Sequence, residues 1–209
     1  MFYQDDPKKC TAAKMVKFGL VQNIKKIGIK GLVLDPFSEK TLLPKDRFLV
    51  NAIVGIDCSW NRVDQAFSKK FNGIKRRLPP LLAGNSVNYS KLNKLTTAEA
   101  LSASLIILGY KEQGLELLDK FKWGHTFYEL NQNLFDEYSK LENEEQIDLI
   151  LKDYGLAWCL LFKIIIITTI IPNGITHNQN SGSLSEKSVC LLILIGNSSP
   201  FSVTMKLDS

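Results

Sequence analysis

The sequence predicts an α/β domain, and three observations carry that prediction. Short apolar runs closed by turn signals stand at 31–34, 52–57 and 78–83, as buried strands do. Patterns of helical period fill the stretch from Thr97 to Tyr154. Thr96-Thr97-Ala98-Glu99 sets an acid three residues after a hydroxyl, directly before an apolar run, which is a capping-box pattern. Strands early and helices late make one α/β unit.

In chain order, Thr11 is a good N-cap type and opens a short helix over 12–21. Gly31 to Leu34 is a strand that Asp35-Pro36 turns away. Pro44 begins a helical turn at the position where its missing N–H matters least. Ala52 to Asp57 is a second strand and runs into Cys58-Ser59-Trp60. A helix or turn follows over 62–71. Leu78 to Ala83 is extended, and a polar loop spans 84–89. The helix from Thr97 to Leu108 is apolar almost all round and should be buried, with Gly109 ending it. Further helices are expected at 111–121, 127–138 and 144–154.

The 209 residues suit one domain with extensions, or two small domains sharing a core, and 45% apolar with 22% charged residues is a globular balance. Cys10, Cys58, Cys159 and Cys190 lie far apart, without a CxxC pair or a nearby His at ligand spacing. No disulfide framework and no metal site is expected, and a reducing compartment is the simpler assumption. Residues 1–9 lack a secretory apolar region, so a cytoplasmic location is expected.

Charge is unevenly spread. Residues 1–80 hold 16 Lys and Arg against 7 acids, whereas 81–154 hold 7 against 12. The basic half suits a polyanion such as RNA; two solvated faces of opposite sign are the bland alternative. Residues 155–209 hold only three lysines and two acids. Their apolar run Leu156–Ile171 is too short to span a bilayer and has Lys163 near its middle, so no membrane partner is expected.

Five stretches, in order, carry a resemblance: Asp6-Pro-Lys-Lys-Cys-Thr11, Gly31-Leu-Val-Leu-Asp-Pro36, Val54-Gly-Ile-Asp-Cys-Ser-Trp60, Leu78 to Tyr89 with Leu95 to Ala100, and Lys120-Phe-Lys-Trp-Gly124. Together they resemble the small-subunit (18S/16S) rRNA aminocarboxypropyltransferases of ribosome biogenesis. The likeness fades by Tyr154. It implies a SPOUT-like α/β fold with a trefoil knot in the C-terminal half, a topology that periodicity does not reveal. Three regions follow: a substrate-side α/β part over 1–75, a knotted S-adenosylmethionine-binding and helical part over 76–154, and an atypical tail over 155–209. The implied reaction moves a 3-amino-3-carboxypropyl group from S-adenosylmethionine to N3 of a uridine, typically N1-methylpseudouridine, in small-subunit rRNA. A monomer acting on rRNA or a pre-ribosomal subunit is expected.

The resemblance also assigns residues. Thr11, Leu34, Pro36, Ile56, Ser59, Trp60, Leu82, Thr97, Ala98 and Leu101 are its cofactor contacts. Asp57 and Trp60 stand near the amino-acid chain of the cofactor and are the catalytic candidates. Trp60 is expected to wall off the methyl group so that the propyl carbon is presented, or else to fill the core. Asp57 orients the amino group, accepts the imino proton of uridine, or merely caps a turn. RNA candidates are Lys8, Lys9, Lys14, Lys17, Lys69, Lys70, Lys75, Arg76 and Arg77. Tyr89 and Trp123 are aromatics suited to stacking bases, but read first as core residues. His125 reads as a packing or surface residue. Two departures mark the loop usually written AANPVNYG: Gly84 replaces Ala, and Ser86 and Ser90 replace Pro and Gly. A non-catalytic RNA-binding assembly factor is the competing reading, and a membrane-tethered protein a third.

Overall fold

The computed structural model describes residues 11–24, 31–57 and 72–156, and the backbone of 190–194. Five strands form one sheet: β1 (Gln22–Ile24), β2 (Gly31–Leu34), β3 (Ala52–Ile56), β4 (Ile74–Arg76) and β5 (Cys190–Leu194). Their order is β1-β5-β3-β2-β4. Strands β2, β3 and β4 are mutually parallel, in register Gly31↔Ala52 and Leu32↔Ile74. Strand β5 is antiparallel to both of its neighbours, pairing Cys190 with Ile24 and with Ile56.

Strands β2 and β3 are buried at every position, which is why they read as unbroken apolar runs. The sequence placed the third strand at 78–83; the structure places it at Ile74–Arg76. Pro79 and Pro80 have no N–H to give a ladder. The 78–83 segment is instead held by side chains: Tyr138 Oη donates to the Pro80 carbonyl (2.9 Å), and Asn131 brackets Leu82 by accepting from its N–H and donating to its carbonyl (both 2.8 Å). Opposite it, Leu82 bridges Leu92.

Helix α1 (Thr11–Lys17) stops at Gly19, whose φ is +71°, short of the expected residue 21. Pro44–Phe48 is a 3-10 turn. Four more helices follow: α2 (Thr97–Ile107), α3 (Lys111–Leu118), α4 (Gly124–Tyr138) and α5 (Glu145–Asp153). The capping box of α2 forms as expected, with the Thr96 hydroxyl accepting from Glu99 N. Helix α2 is the hub. It packs on β3 and is covered by α1, α3 and α4, so Leu101, Leu105, Ile107 and Leu108 are fully buried. Its serines are satisfied locally, Ser102 by the Gly114 carbonyl (2.7 Å) and Ser104 by the Leu101 carbonyl (2.8 Å). One continuous apolar core joins β2 and β3 to the five described helices.

Candidate active site

Because β2, β3 and β4 are parallel, their last residues Leu34, Ile56 and Arg76 share one edge of the sheet. Parallel sheets bind ligands beyond that edge, where loops leave the strand ends. Here the edge meets the start of α2. Thr97 Oγ1 donates to Asp57 Oδ1 at 3.1 Å, joining two segments forty residues apart in sequence. Strand and helix touch closely: a Cβ at Gly55 would lie 3.1 Å from Thr97 Cγ2 and 3.3 Å from Leu101 Cδ2. The edge is therefore a half-buried carboxylate beside the buried apolar side chains of Leu34, Ile56, Ala98 and Leu101.

The loop before α2 is fixed by one buried acid. Glu99 has no solvent exposure. Its Oε1 accepts from Gly84 N (2.7 Å) and Asn85 N (2.9 Å). Its Oε2 accepts from Asn85 Nδ2 (2.8 Å), Thr96 N (2.6 Å) and Thr96 Oγ1 (2.9 Å). The capping box thus predicted half of what Glu99 does; the grip on residues 84 and 85 was missed, because nothing local in sequence signals it. Gly84 suits the loop's approach to α4. A Cβ there would sit 2.5 Å from Phe127 Cα, so the Ala of the family pattern does not fit this conformation. Ser90, at the family's Gly, has φ +60°.

On β2, Asp35 is another buried acid that sequence reading passed over. It accepts from Phe37 N (3.0 Å) and pairs with Lys75 (3.0 Å), closing the turn that carries Pro36. Pro36 itself is exposed and Leu82 half-buried, while Thr11 opens α1 and is half-buried. Ser59 and Trp60 lie outside the described residues, as do Lys8, Lys9, Lys69 and Lys70.

The basic candidates at the end of β4 have other work. Arg76 donates through Nε (2.9 Å) and Nη2 (2.8 Å) to the buried Asp46. Arg77 reaches the carbonyls of Ser38 and Glu39 and pairs with Glu144 at 3.5 Å. These guanidiniums tie the chain together; Arg76 and Arg77, expected to contact RNA, are engaged by these partners. A cleft of about 210 Å³ beside Arg77 is lined by Glu144, Glu145 and Asp148 and disfavours a polyanion. Lys14 is half-buried on α1 and Lys17 exposed. His125 is exposed, as expected. Trp123 is half-buried and stacks on Phe121 at 5.0 Å, whereas Tyr89, expected in the core, is 58% exposed.

Among the described residues no group of three or more His, Cys, Asp and Glu is placed to hold a metal, and no helix is long and apolar enough to cross a membrane.

Residues 32–155, which contain this whole edge, match the family described as ribosome biogenesis protein, C-terminal. The 16S rRNA aminocarboxypropyltransferase of Methanosarcina acetivorans is 45% identical over 149 residues, covering 69% of this chain and 85% of that relative. The chain belongs to the 16S rRNA aminocarboxypropyltransferase family. The relative from Methanobrevibacter smithii is likewise 45% identical, over 68% of this chain and 86% of its own length. The solved structure of the SAM-dependent rRNA:acp-transferase Tsr3 from Vulcanisaeta distributa aligns with TM-score 0.66 and 32% identity, covering 80% of this chain and 95% of that one. The family's SPOUT-like fold is thus present. Residues 2–26 also match a possible Fer4-like domain in RNase L inhibitor. A cluster of that kind takes four thiolates, and Cys10 is the single cysteine of the stretch, so the donor set does not fit one.

Proposed function

We propose that this protein transfers the 3-amino-3-carboxypropyl group of S-adenosylmethionine to N3 of a uridine, or N1-methylpseudouridine, in small-subunit rRNA during ribosome biogenesis. The observation that carries the reading is the Asp57–Thr97 contact at the carboxyl edge of the parallel strands, inside the segment matched to the family.

The donor set fits the cofactor. A half-buried carboxylate at the strand edge complements a cationic sulfonium and its ammonium group, while the family pattern puts Leu34 on the adenosine side and has Ala98 and Leu101, whose side chains are buried, meet adenine largely through backbone groups. When bound, S-adenosylmethionine supplies an alkyl carbon activated by the adjoining sulfonium and is left as methylthioadenosine. The chain's task is placement. Thr97 holds the Asp57 carboxylate in one orientation, and the α2–β3 contact fixes both against the sheet. Asp57 then orients the amino group, and its carboxylate stands at the strand edge to take the proton that uridine N3 releases. In the family pattern Ser59 and Trp60 follow Asp57 in sequence and are further cofactor contacts.

The finer reading has the family's trefoil knot formed by residues 76–154, with Leu82 and α2 supplying its cofactor side. The protein acts as a cytoplasmic monomer, with 1–75 facing the substrate. The test is mass spectrometry of small-subunit rRNA nucleosides after incubation with S-adenosylmethionine. One aminocarboxypropylated uridine and an equal amount of methylthioadenosine are expected. Methylated product, or none, removes the proposal.

A further inference from the structure

The loop that Glu99 anchors ends in an exposed tip. Asn85 is buried, and its Oδ1 accepts from Val87 N (3.2 Å) and Asn88 N (3.0 Å), so the backbone of the turn is fixed from below. Yet Val87 is 79% exposed and Tyr89 58%. A rigid turn that shows an aromatic and a branched apolar side chain to solvent is a surface built for contact. Between Asn85 and Ala98 there is no acid, and Lys91 and Lys94 are both exposed. The loop also stands at the site. Glu99, which holds it, and Thr97, which holds Asp57, are two residues apart in the first turn of α2.

We infer that this tip reads the RNA: Tyr89 stacks on an unpaired base of the rRNA loop that carries the acceptor uridine, and Lys91 and Lys94 meet its phosphates. The assignment rests on the activity proposed above. A ring stacks on any base, and unpaired bases are those that loops offer, so an aromatic with flanking lysines suits a single-stranded segment better than a duplex. The cation–aromatic group around Arg47 is a poorer fit. Arg47 already lies over the rings of Phe48 (5.7 Å) and Tyr110 (5.1 Å). That group sits at the far end of α2, roughly 16 Å from Thr97 at 1.5 Å per helical residue.

The experiment measures binding of an RNA hairpin with a uridine-containing loop, and of the same stem fully paired, by fluorescence anisotropy. Calorimetry with S-adenosylmethionine runs in parallel on the full chain. Tyr89→Ala should weaken hairpin binding about tenfold, in the range of one lost base–aromatic stack. Tyr89→Phe should stay within about twofold of wild type, because the ring remains. Joint Lys91→Glu and Lys94→Glu should weaken binding and flatten the salt slope by about 1.5. Donor affinity should not change in any of them. A Tyr89→Ala protein that binds the hairpin and alkylates rRNA like wild type overturns the loop assignment and leaves the activity standing. So does one that loses donor affinity in equal measure. Wild-type protein that alkylates no rRNA overturns the activity, and with it the acceptor assignment.

Discussion

Asp46 and Glu99 are both buried acids with several hydrogen bonds, yet they hold their surroundings by different means. Asp46 faces a guanidinium: Arg76 grips it through two nitrogens, and Leu43 N adds a third bond at 3.0 Å. Glu99 is given five donors, all of them uncharged, from the loop at 84–85 and from Thr96. A compact ion pair neutralises itself and is exchangeable in principle for an apolar pair of similar size. A carboxylate solvated by amides from two segments is not exchangeable, because each amide needs an acceptor at its own place. The first arrangement fastens a strand end. The second sets the shape of a loop.

That contrast is open to test, starting where the effect is largest. Glu99→Ala should destabilise the protein by on the order of 5 kcal/mol in chemical denaturation, since it strands several buried donors at about 1–3 kcal/mol each. Glu99→Gln should recover part of the loss. A loss below about 2 kcal/mol for the alanine variant would mean water replaces the carboxylate, and the contrast with Asp46 would dissolve. Asp46→Ala should cost about 3–5 kcal/mol by leaving Arg76 buried without its partner. The double change Asp46→Leu with Arg76→Met should recover most of that loss, leaving about 1–3 kcal/mol for the Leu43 N–H that loses its acceptor. If the double variant is no better than the single one, the pair is as irreplaceable as Glu99.

Asp57 is a third kind of acid, half-buried and set at the strand edge. Asp57→Asn should lower kcat about 100-fold, equal to about 2.7 kcal/mol of barrier, while stability moves by less than about 1 kcal/mol. Equal loss of folding and turnover would place it with Asp46 as a structural group. The smallest effect concerns the tip of the loop. Ser90 holds a left-handed backbone that Gly adopts without strain, so Ser90→Gly should stabilise by about 1 kcal/mol. A thermal melt reads it, and no gain would mean the Glu99 anchor leaves the tip free to relax.

The sequence made some elements plain and hid others for physical reasons. Strands β2 and β3 were legible because a strand buried on both faces has no polar interruption. Strand β4 was not: Ile74-Lys75-Arg76 looks like surface, since its two cations are matched to acids at Asp35 and Asp46 that lie forty and thirty residues away. The same partners engage two of the cations that the sequence offered to RNA. Strand β5 is an apolar run in a tail with no family pattern, and its pairing to β1 and β3 leaves no local trace. In the site, the resemblance named Asp57, Thr97 and Leu101, and the fold brings their two segments, the end of β3 and the start of α2, into contact. Tyr89 was misjudged because an aromatic flanked by polar residues has the same one-dimensional signature whether it points in or out.

Strand β5 also sets a timetable. It lies between β1 and β3 and joins Cys190 to Ile56, a separation of more than a hundred residues. A ribosome making this chain releases β1, β2 and β3 long before the strand that separates β1 from β3 exists. Pairing across such a span is slow, because the entropy of closing the loop is lost before the contacts form. A strand inside the sheet, next to one edge, is thus its last described part to be synthesised, and the slot between β1 and β3 is filled only after translation passes Leu194.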